Sequence, residues 1–183
     1  MNVNINDNTQ SEYINRVRSL VVGKDMYATV ITLGCQQNEA DSEKIRAMAN
    51  EMGYHLTDDT ERADMIIVNT CAIREHAELK ALSIVGNFKA LRQRKPDLIV
   101  GVCGCMAAEP HRAEKIKKSY HHVTFTLEPS LIHTLPELVC RALYEKRRSF
   151  VFGHEKWDIV EGMGAVRTSS HKAWVSIMYG CNN

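Results

Sequence analysis

Three apolar segments rich in β-branched residues each run into a cysteine, and they recur at intervals of roughly 35 residues, about the length of one βα unit. The first is Tyr27-Ala-Thr-Val-Ile-Thr-Leu33, closed by Gly34 and followed by Cys35. The second, Asp64-Met-Ile-Ile-Val-Asn69, is followed by Thr70 and Cys71. The third, Asp97-Leu-Ile-Val-Gly-Val102, runs into Cys103-Gly-Cys105. Short continuous apolar runs bounded by glycine or polar residues read as strands buried on both faces. Between them lie helical patterns. Ile45, Met48, Ala49 and Met52 recur at i, i+3, i+4 and i+7 until Gly53, with Asn38 as a candidate cap and Asp41 in the first turn. Leu82, Val85, Phe88 and Leu91 mark a long helix that stops before Pro96. Strands alternating with helices predict an α/β fold, a parallel sheet with helices on both faces.

The remainder of the chain extends this pattern. A helix is expected from about Ala108 to Ser119, a short strand near His122 to Phe125, and a last helix opening at Ser130 with an apolar stripe of Leu131, Leu135, Leu138, Val139, Ala142 and Leu143. Its end is cationic at Lys146, Arg147 and Arg148, as the helix dipole prefers. Residues 1–24 begin with alternating asparagines and carry a short helical pattern at Tyr13, Ile14, Val17 and Leu20, which predicts a loosely held, flexible arm. After Arg148, Ser149-Phe-Val-Phe152 reads as a strand, residues 149–170 as a linker, and Lys172 to Tyr179 as a new strand ending at Gly180-Cys181. A strand with nothing after it to complete a domain predicts that the chain is a fragment.

In an open parallel α/β sheet, ligands bind outside the carboxyl ends of the strands. Cys35, Cys71 and Cys105 each follow the end of a predicted strand, so all three can converge on one rim. Cys103 still lies in the third strand and Cys140 beside the apolar stripe of the last helix, and both read as packing residues. Taken singly, any of the cysteines is as well explained as a small buried hydrophobe. No Cys-x-x-Cys pair is present, which argues against a zinc ribbon or a thioredoxin-like redox pair. Three converging thiolates suit a soft metal or an iron–sulfur cluster, and a cubane held by three cysteines leaves one iron open.

Composition narrows the function classes. The chain has 183 residues, 23 Lys plus Arg against 22 Asp plus Glu, and a formal charge of +1. A domain of this length buries roughly 70 % of its unfolded surface and needs neither disulfides nor metal merely to fold. It lacks the basic excess of a dedicated nucleic-acid-binding module. Lys80, Lys89, Arg92, Arg94 and Lys95 form a basic run read first as a solvated helix face and second as a phosphate contact. No apolar run approaches the ~18 to 20 residues of a membrane span, and no signal-peptide pattern is present, so the expected location is cytoplasmic.

The segments Thr32-Leu-Gly-Cys-Gln-Gln-Asn38, Asn69-Thr-Cys-Ala-Ile-Arg-Glu75 and Gly101-Val-Cys-Gly-Cys-Met106 resemble the three cysteine motifs of the methylthiotransferase N-terminal domain. Ala173-Trp-Val-Ser-Ile-Met-Tyr-Gly-Cys181 resembles the entry to that family's radical S-adenosylmethionine (SAM) domain. The resemblance spans residues 26–183 and is strongest to the branch that converts N6-isopentenyladenosine, next to the anticodon of tRNA at position 37, into its 2-methylthio derivative. Gln37, where Met is commoner in the family, and Leu33 before Gly34 depart from that branch or are shared with others.

The resemblance implies a Rossmann- or flavodoxin-like cluster-binding domain over 25–148 and the start of a radical SAM barrel over 171–183. It implies that Cys35, Cys71 and Cys105 ligate an auxiliary [4Fe-4S] cluster, that Cys181 is the first of three cysteines for a second [4Fe-4S] cluster, and that SAM and tRNA bind the whole enzyme. The fragment alone is expected to be inactive. Asn38, Asn69, Thr70 and Arg74 lie beside the cysteines and can donate hydrogen bonds to cluster sulfurs or substrate, although Asn38 is equally explained as a helix cap. The expected partners are tRNA, mainly through segments beyond this chain, and a sulfur donor the sequence does not specify. No membrane partner is expected, and the chain is read as a monomer. Competing readings are a stand-alone iron–sulfur or sulfur-carrier domain, a methylthiotransferase acting on another tRNA base or a ribosomal protein, and a flavodoxin-like fold whose cysteines only pack.

Overall fold

The β-branched runs form the centre of one parallel sheet. The computed structural model describes residues 7–71, 75–150, 163–167, 169 and 171–174. Six strands, β1 (Tyr27–Leu33), β2 (His55–Leu56), β3 (Met65–Thr70), β4 (Ile99–Cys103), β5 (Phe125–Leu127) and β6 (Ser149–Phe150), pair in the order β2-β1-β3-β4-β5-β6, all parallel. Every residue of β3 and β4 is buried, as their continuous apolar sequences require. Side chains alternate between faces. Met65, Ile67, Ile99, Cys103 and Phe125 pack with Ile45, Met48, Met52, Leu135 and Val139 on one side, while Ile66, Val68, Val100 and Val102 pack with Leu82, Val85, Phe88, Leu91 and Ile116 on the other.

The helices are α1 (Asp7–Val21), α2 (Gln36–Glu51), α3 (Glu75–Arg94), the single turn α4 (Cys105–Ala108), α5 (Pro110–Ser119) and α6 (Leu135–Tyr144). Helix α1 corrects the expectation of a loose N-terminal arm. Its apolar stripe buries Val17 and Val21 completely in the core shared with α2 and α6, and Arg18 donates from Nε to the Glu51 carbonyl at 2.9 Å. Three helix boundaries also shift, and the strand expected near His122 to Phe125 is β5 at Phe125–Leu127. Helix α2 begins at Gln36 with Cys35 as its N-cap, so Asn38 is the third helical residue rather than the cap. The helix expected from Ala108 is interrupted at Glu109, because Pro110 disfavours the α conformation in the residue before it. The segment from Pro129 to Thr134 is a 3-10 helix, and α6 starts at Leu135.

Within the expected linker, residues 163–167 lie along α2, where Met163 packs on the core and the Val166 N–H donates to the Glu43 carbonyl at 3.0 Å. The expected final strand falls largely outside the described residues. No helix among the described residues is long and apolar enough to cross a membrane.

Candidate functional site

In a parallel sheet the crevice forms where the strand order reverses, because the connections on either side leave in opposite directions. Here the reversal lies between β1 and β3: from β1 the chain crosses to β2 on one side, and from β3 to β4 on the other. Cys35 follows β1, Cys71 follows β3 and Cys105 follows β4 after one glycine, so the three thiols top three adjacent strands. Cys71 is buried, Cys35 and Cys105 are half-buried, and none of the three is in a disulfide. Cys181 and Arg74 lie outside the described residues.

Two glycines let the loops approach. A Cβ on Gly34 would fall 3.1 Å from the Cys71 Cβ and 2.1 Å from Asn38 Oδ1, so the Cys35 and Cys71 loops touch at a point where no side chain fits. Gly104 has φ +92°, a conformation that L side chains rarely adopt, and a Cβ there would fall 2.2 Å from the Thr70 carbonyl oxygen and 2.5 Å from Asn69 Oδ1. The Cys105 loop is thereby laid on the end of β3. The Cys71 N–H donates to the Leu33 carbonyl at 3.1 Å, which closes the first two loops on each other.

Beneath the thiols lies a buried amide pair. Asn38 and Asn69 are each 1 % exposed. Asn38 Nδ2 donates to Asn69 Oδ1 at 3.0 Å and to the Thr70 carbonyl at 3.4 Å, while Asn69 Nδ2 donates to the Asn38 carbonyl at 2.8 Å and to Ser42 Oγ at 3.0 Å. Asn38 Oδ1 accepts from the Cys35 N–H at 3.1 Å and lies 3.4 Å from Cys35 Sγ. The amide donors expected to face a cluster or substrate are therefore directed into the protein. Thr70 is fully buried, and its Oγ1 has no partner among the described residues.

Cys103 and Cys140 behave as the packing residues the sequence predicts. Both are buried in the core, and burial pushes both thiols up, Cys103 well above the ordinary value with Asp41 and Cys105 adding to the shift. At the rim's edge Arg112 bridges Glu78 of α3 at 2.9 Å and Glu109 at 3.0 Å, a tie between the two helix starts that no local sequence pattern announces. The basic run at the end of α3 faces away from the rim: Arg94 pairs with Glu61 at 2.8 Å, Lys95 pairs with Asp64 at 3.3 Å, and Arg92 donates to the Leu98 carbonyl.

The donor set and the placement of the loops suit a thiophilic metal group. The sulfurs themselves are not gathered: among the described residues, no three His, Cys, Asp or Glu side chains form a group that could hold a metal ion. Cys35 Sγ is turned toward Asn38 instead. Loading the site therefore calls for side-chain rotation on loops that already meet.

A doubly wound α/β domain with three thiol-bearing loops at its switch point is the class this fold and rim define. The chain belongs to the uncharacterized protein family UPF0004, whose model matches residues 27–128. It is 40 % identical over 174 residues to the tRNA-2-methylthio-N(6)-dimethylallyladenosine synthase of Alkaliphilus oremlandii, an alignment covering 95 % of this chain and 37 % of the relative. Synthases of the same name from Halalkalibacterium halodurans, 42 % identical over 161 residues, and Staphylococcus saprophyticus, 40 % identical over 180, cover 88 % and 98 % of this chain and 30 % and 34 % of the relatives. The chain thus spans about a third of the length of these relatives. It is homologous to the N-terminal domain of the methylthiotransferases.

Proposed function

We propose that this chain is the auxiliary-cluster domain of a radical SAM methylthiotransferase that acts on tRNA. Cys35, Cys71 and Cys105 are the ligands of a [4Fe-4S] cluster, and Cys181 is the first ligand of a second. Support comes chiefly from the juxtaposition of three thiol loops at the switch point, drawn together by Gly34 and Gly104. The similarity to tRNA-2-methylthio-N(6)-dimethylallyladenosine synthases along almost the whole chain supports the choice of a tRNA substrate.

An unactivated aromatic C–H bond is not thiolated by acid–base catalysis, so the reaction needs a radical and a sulfur source held by cofactors. A cluster bound by three cysteines would supply an iron with an open position for the sulfur that is transferred. The chain's own task is to present three thiols in register and to bury the site. Cys71 contributes a buried ligand, while the half-buried Cys35 and Cys105 set the side open to solvent. The proposed substrate is N6-isopentenyladenosine at position 37 of tRNA, with SAM bound by segments beyond this chain, in a cytoplasmic enzyme.

Nucleoside mass spectrometry tests the substrate. A strain deleted for the synthase and complemented with a full-length gene carrying this domain is expected to regain 2-methylthio-N6-isopentenyladenosine. Unchanged isopentenyladenosine would contradict the tRNA reading, and a gain of mass on a different tRNA base or on a ribosomal protein would move the domain to another branch of the family.

A further inference from the structure

The geometry points to Asn38 and Asn69 as positioning residues that assemble the three cysteine loops before any metal arrives, a role that deepens the cluster reading and rests on it for its purpose. Three of the pair's four side-chain polar atoms face the loops, and the fourth, Asn69 Nδ2, ties the pair to the Asn38 carbonyl and Ser42 Oγ. Oδ1 of Asn38 takes the Cys35 backbone N–H, Nδ2 of Asn38 reaches the carbonyl that precedes Cys71, and Oδ1 of Asn69 forms the surface on which Gly104, the residue before Cys105, is seated. One buried pair therefore touches all three loops.

The sheet puts the pair in place. Asn69 is the central member of a row running across three strands, aligned with Thr32 on β1 and Cys103 on β4. Ser42 completes the row: its hydroxyl accepts from Asn69 Nδ2 at 3.0 Å and from Thr32 Oγ1 at 2.8 Å, and Ser42 is fully buried. A satisfied polar network in a low-dielectric interior holds its members to fixed directions, whereas apolar contacts tolerate sliding. If bulk stability were the only demand, apolar packing of similar volume would serve this position as well.

The bonds also separate what must stay from what must move. The Cys35 backbone is anchored through its N–H, while its thiol meets Asn38 Oδ1 only at 3.4 Å. Rotation about the Cys35 side chain frees the sulfur for metal and leaves the loop where it is. Residues that orient metal ligands characteristically cost tenfold to a hundredfold in metal affinity when removed.

The test uses the 183-residue chain, prepared metal-free under reducing, anaerobic conditions, with Asn69→Ala, Asn38→Ala and Ser42→Ala beside the parent. A thiol-bridging bimane probe, mapped by mass spectrometry, reads how often Cys35 and Cys71 lie within reach of one another. Alkylation of Cys103 and Cys140 reads global opening in the same samples, because both are held in the core. The expected result is a bridging rate about tenfold lower in each asparagine variant and an iron uptake from ferrous ion and sulfide about tenfold weaker, with Cys103 and Cys140 still protected. Ser42→Ala, which removes one acceptor of Asn69, is expected to fall between the parent and the asparagine variants.

Bridging at the parent rate in the folded asparagine variants would overturn the role. Should either asparagine variant expose Cys103 and so prove unfolded, Ser42→Ala decides: slower bridging upholds the role, and parent-like bridging overturns it. Because bridging needs no metal, a parent that bridges but takes up no iron would sink the cluster reading and leave the positioning role standing.

Discussion

At the amino ends of the strands, Lys95 donates to the carbonyls of Glu61, Arg62 and Ala63 and pairs with Asp64, and Arg148 donates to those of Val123, Lys117 and Tyr120. At the carboxyl ends the corresponding work falls to two neutral amides, one serine and two glycines. Both edges must satisfy backbone groups left over where helices and strands stop. Lys95 does so on the turn that precedes β3, and Arg148 at the C-terminus of α5, where its charge also meets the negative end of the helix dipole. A long cationic side chain follows its carbonyls through small displacements. An amide buried against a glycine does not, so the rim trades tolerance for position.

Substitutions can break this contrast. Gly104→Ala should be the most damaging, since it adds strain at φ +92° to a clash with the Thr70 backbone. A loss of about 3 kcal/mol or more is expected in urea unfolding, with iron uptake lost as well. Gly34→Ala drives a methyl group into Asn38 Oδ1 and is expected to cost about 2 kcal/mol by the same assay, because a side chain yields more readily than backbone. Lys95→Ala at the other edge is expected to cost only about 1 kcal/mol, with iron uptake unchanged, since its ion pair is partly exposed. If Lys95→Ala matched Gly104→Ala in both readouts, the distinction between the edges would be lost.

A smaller, pH-dependent effect sharpens the picture. Asp41 is 4 % exposed, and burial holds its carboxyl above the ordinary 3.8 despite the Lys44 ammonium at 3.6 Å and the Gln37 amide at 3.0 Å. A folded-state pKa raised above the unfolded one means that the ionised form disfavours the fold. That cost is fully present above the raised pKa and disappears as pH falls through it toward 3.8. Asp41→Asn is therefore expected to be slightly more stable than the parent at neutral pH, with the gain vanishing in acid. Thermal melts at pH 7 and pH 3 check it. A variant less stable than its parent at neutral pH would mean that the Lys44 and Gln37 contacts outweigh burial.

Much of the architecture is legible because periodicity is a local signal. Tyr27–Leu33 is read as a strand to the residue, and the helical stripes from Ile45 and Leu82 carry the layers on the two faces. Strand β2 escapes notice because it is two exposed residues at an edge, with no alternation to detect. The N-terminal helix shows its stripe in sequence, but only the presence of α6 opposite makes that stripe a core. The cysteines announce themselves by following strands. What joins them does not: Asn38 and Asn69 meet through the register of β1 against β3, and nothing local to either residue encodes that pairing. Gly104 reads in sequence as a strand breaker, while its close approach to Thr70 emerges only from the neighbouring strand.

Cys35, Cys71 and Cys105 are proposed to hold one iron–sulfur cluster together. Iron and acid-labile sulfide, with electron paramagnetic resonance after reduction, should be measured on the chain reconstituted without oxygen beside a variant with all three cysteines replaced by alanine. About four irons per chain with a reduced-cluster signal, both lost in the triple variant, is the predicted result. Iron retained in the triple variant, or none bound by a folded parent chain, would contradict it.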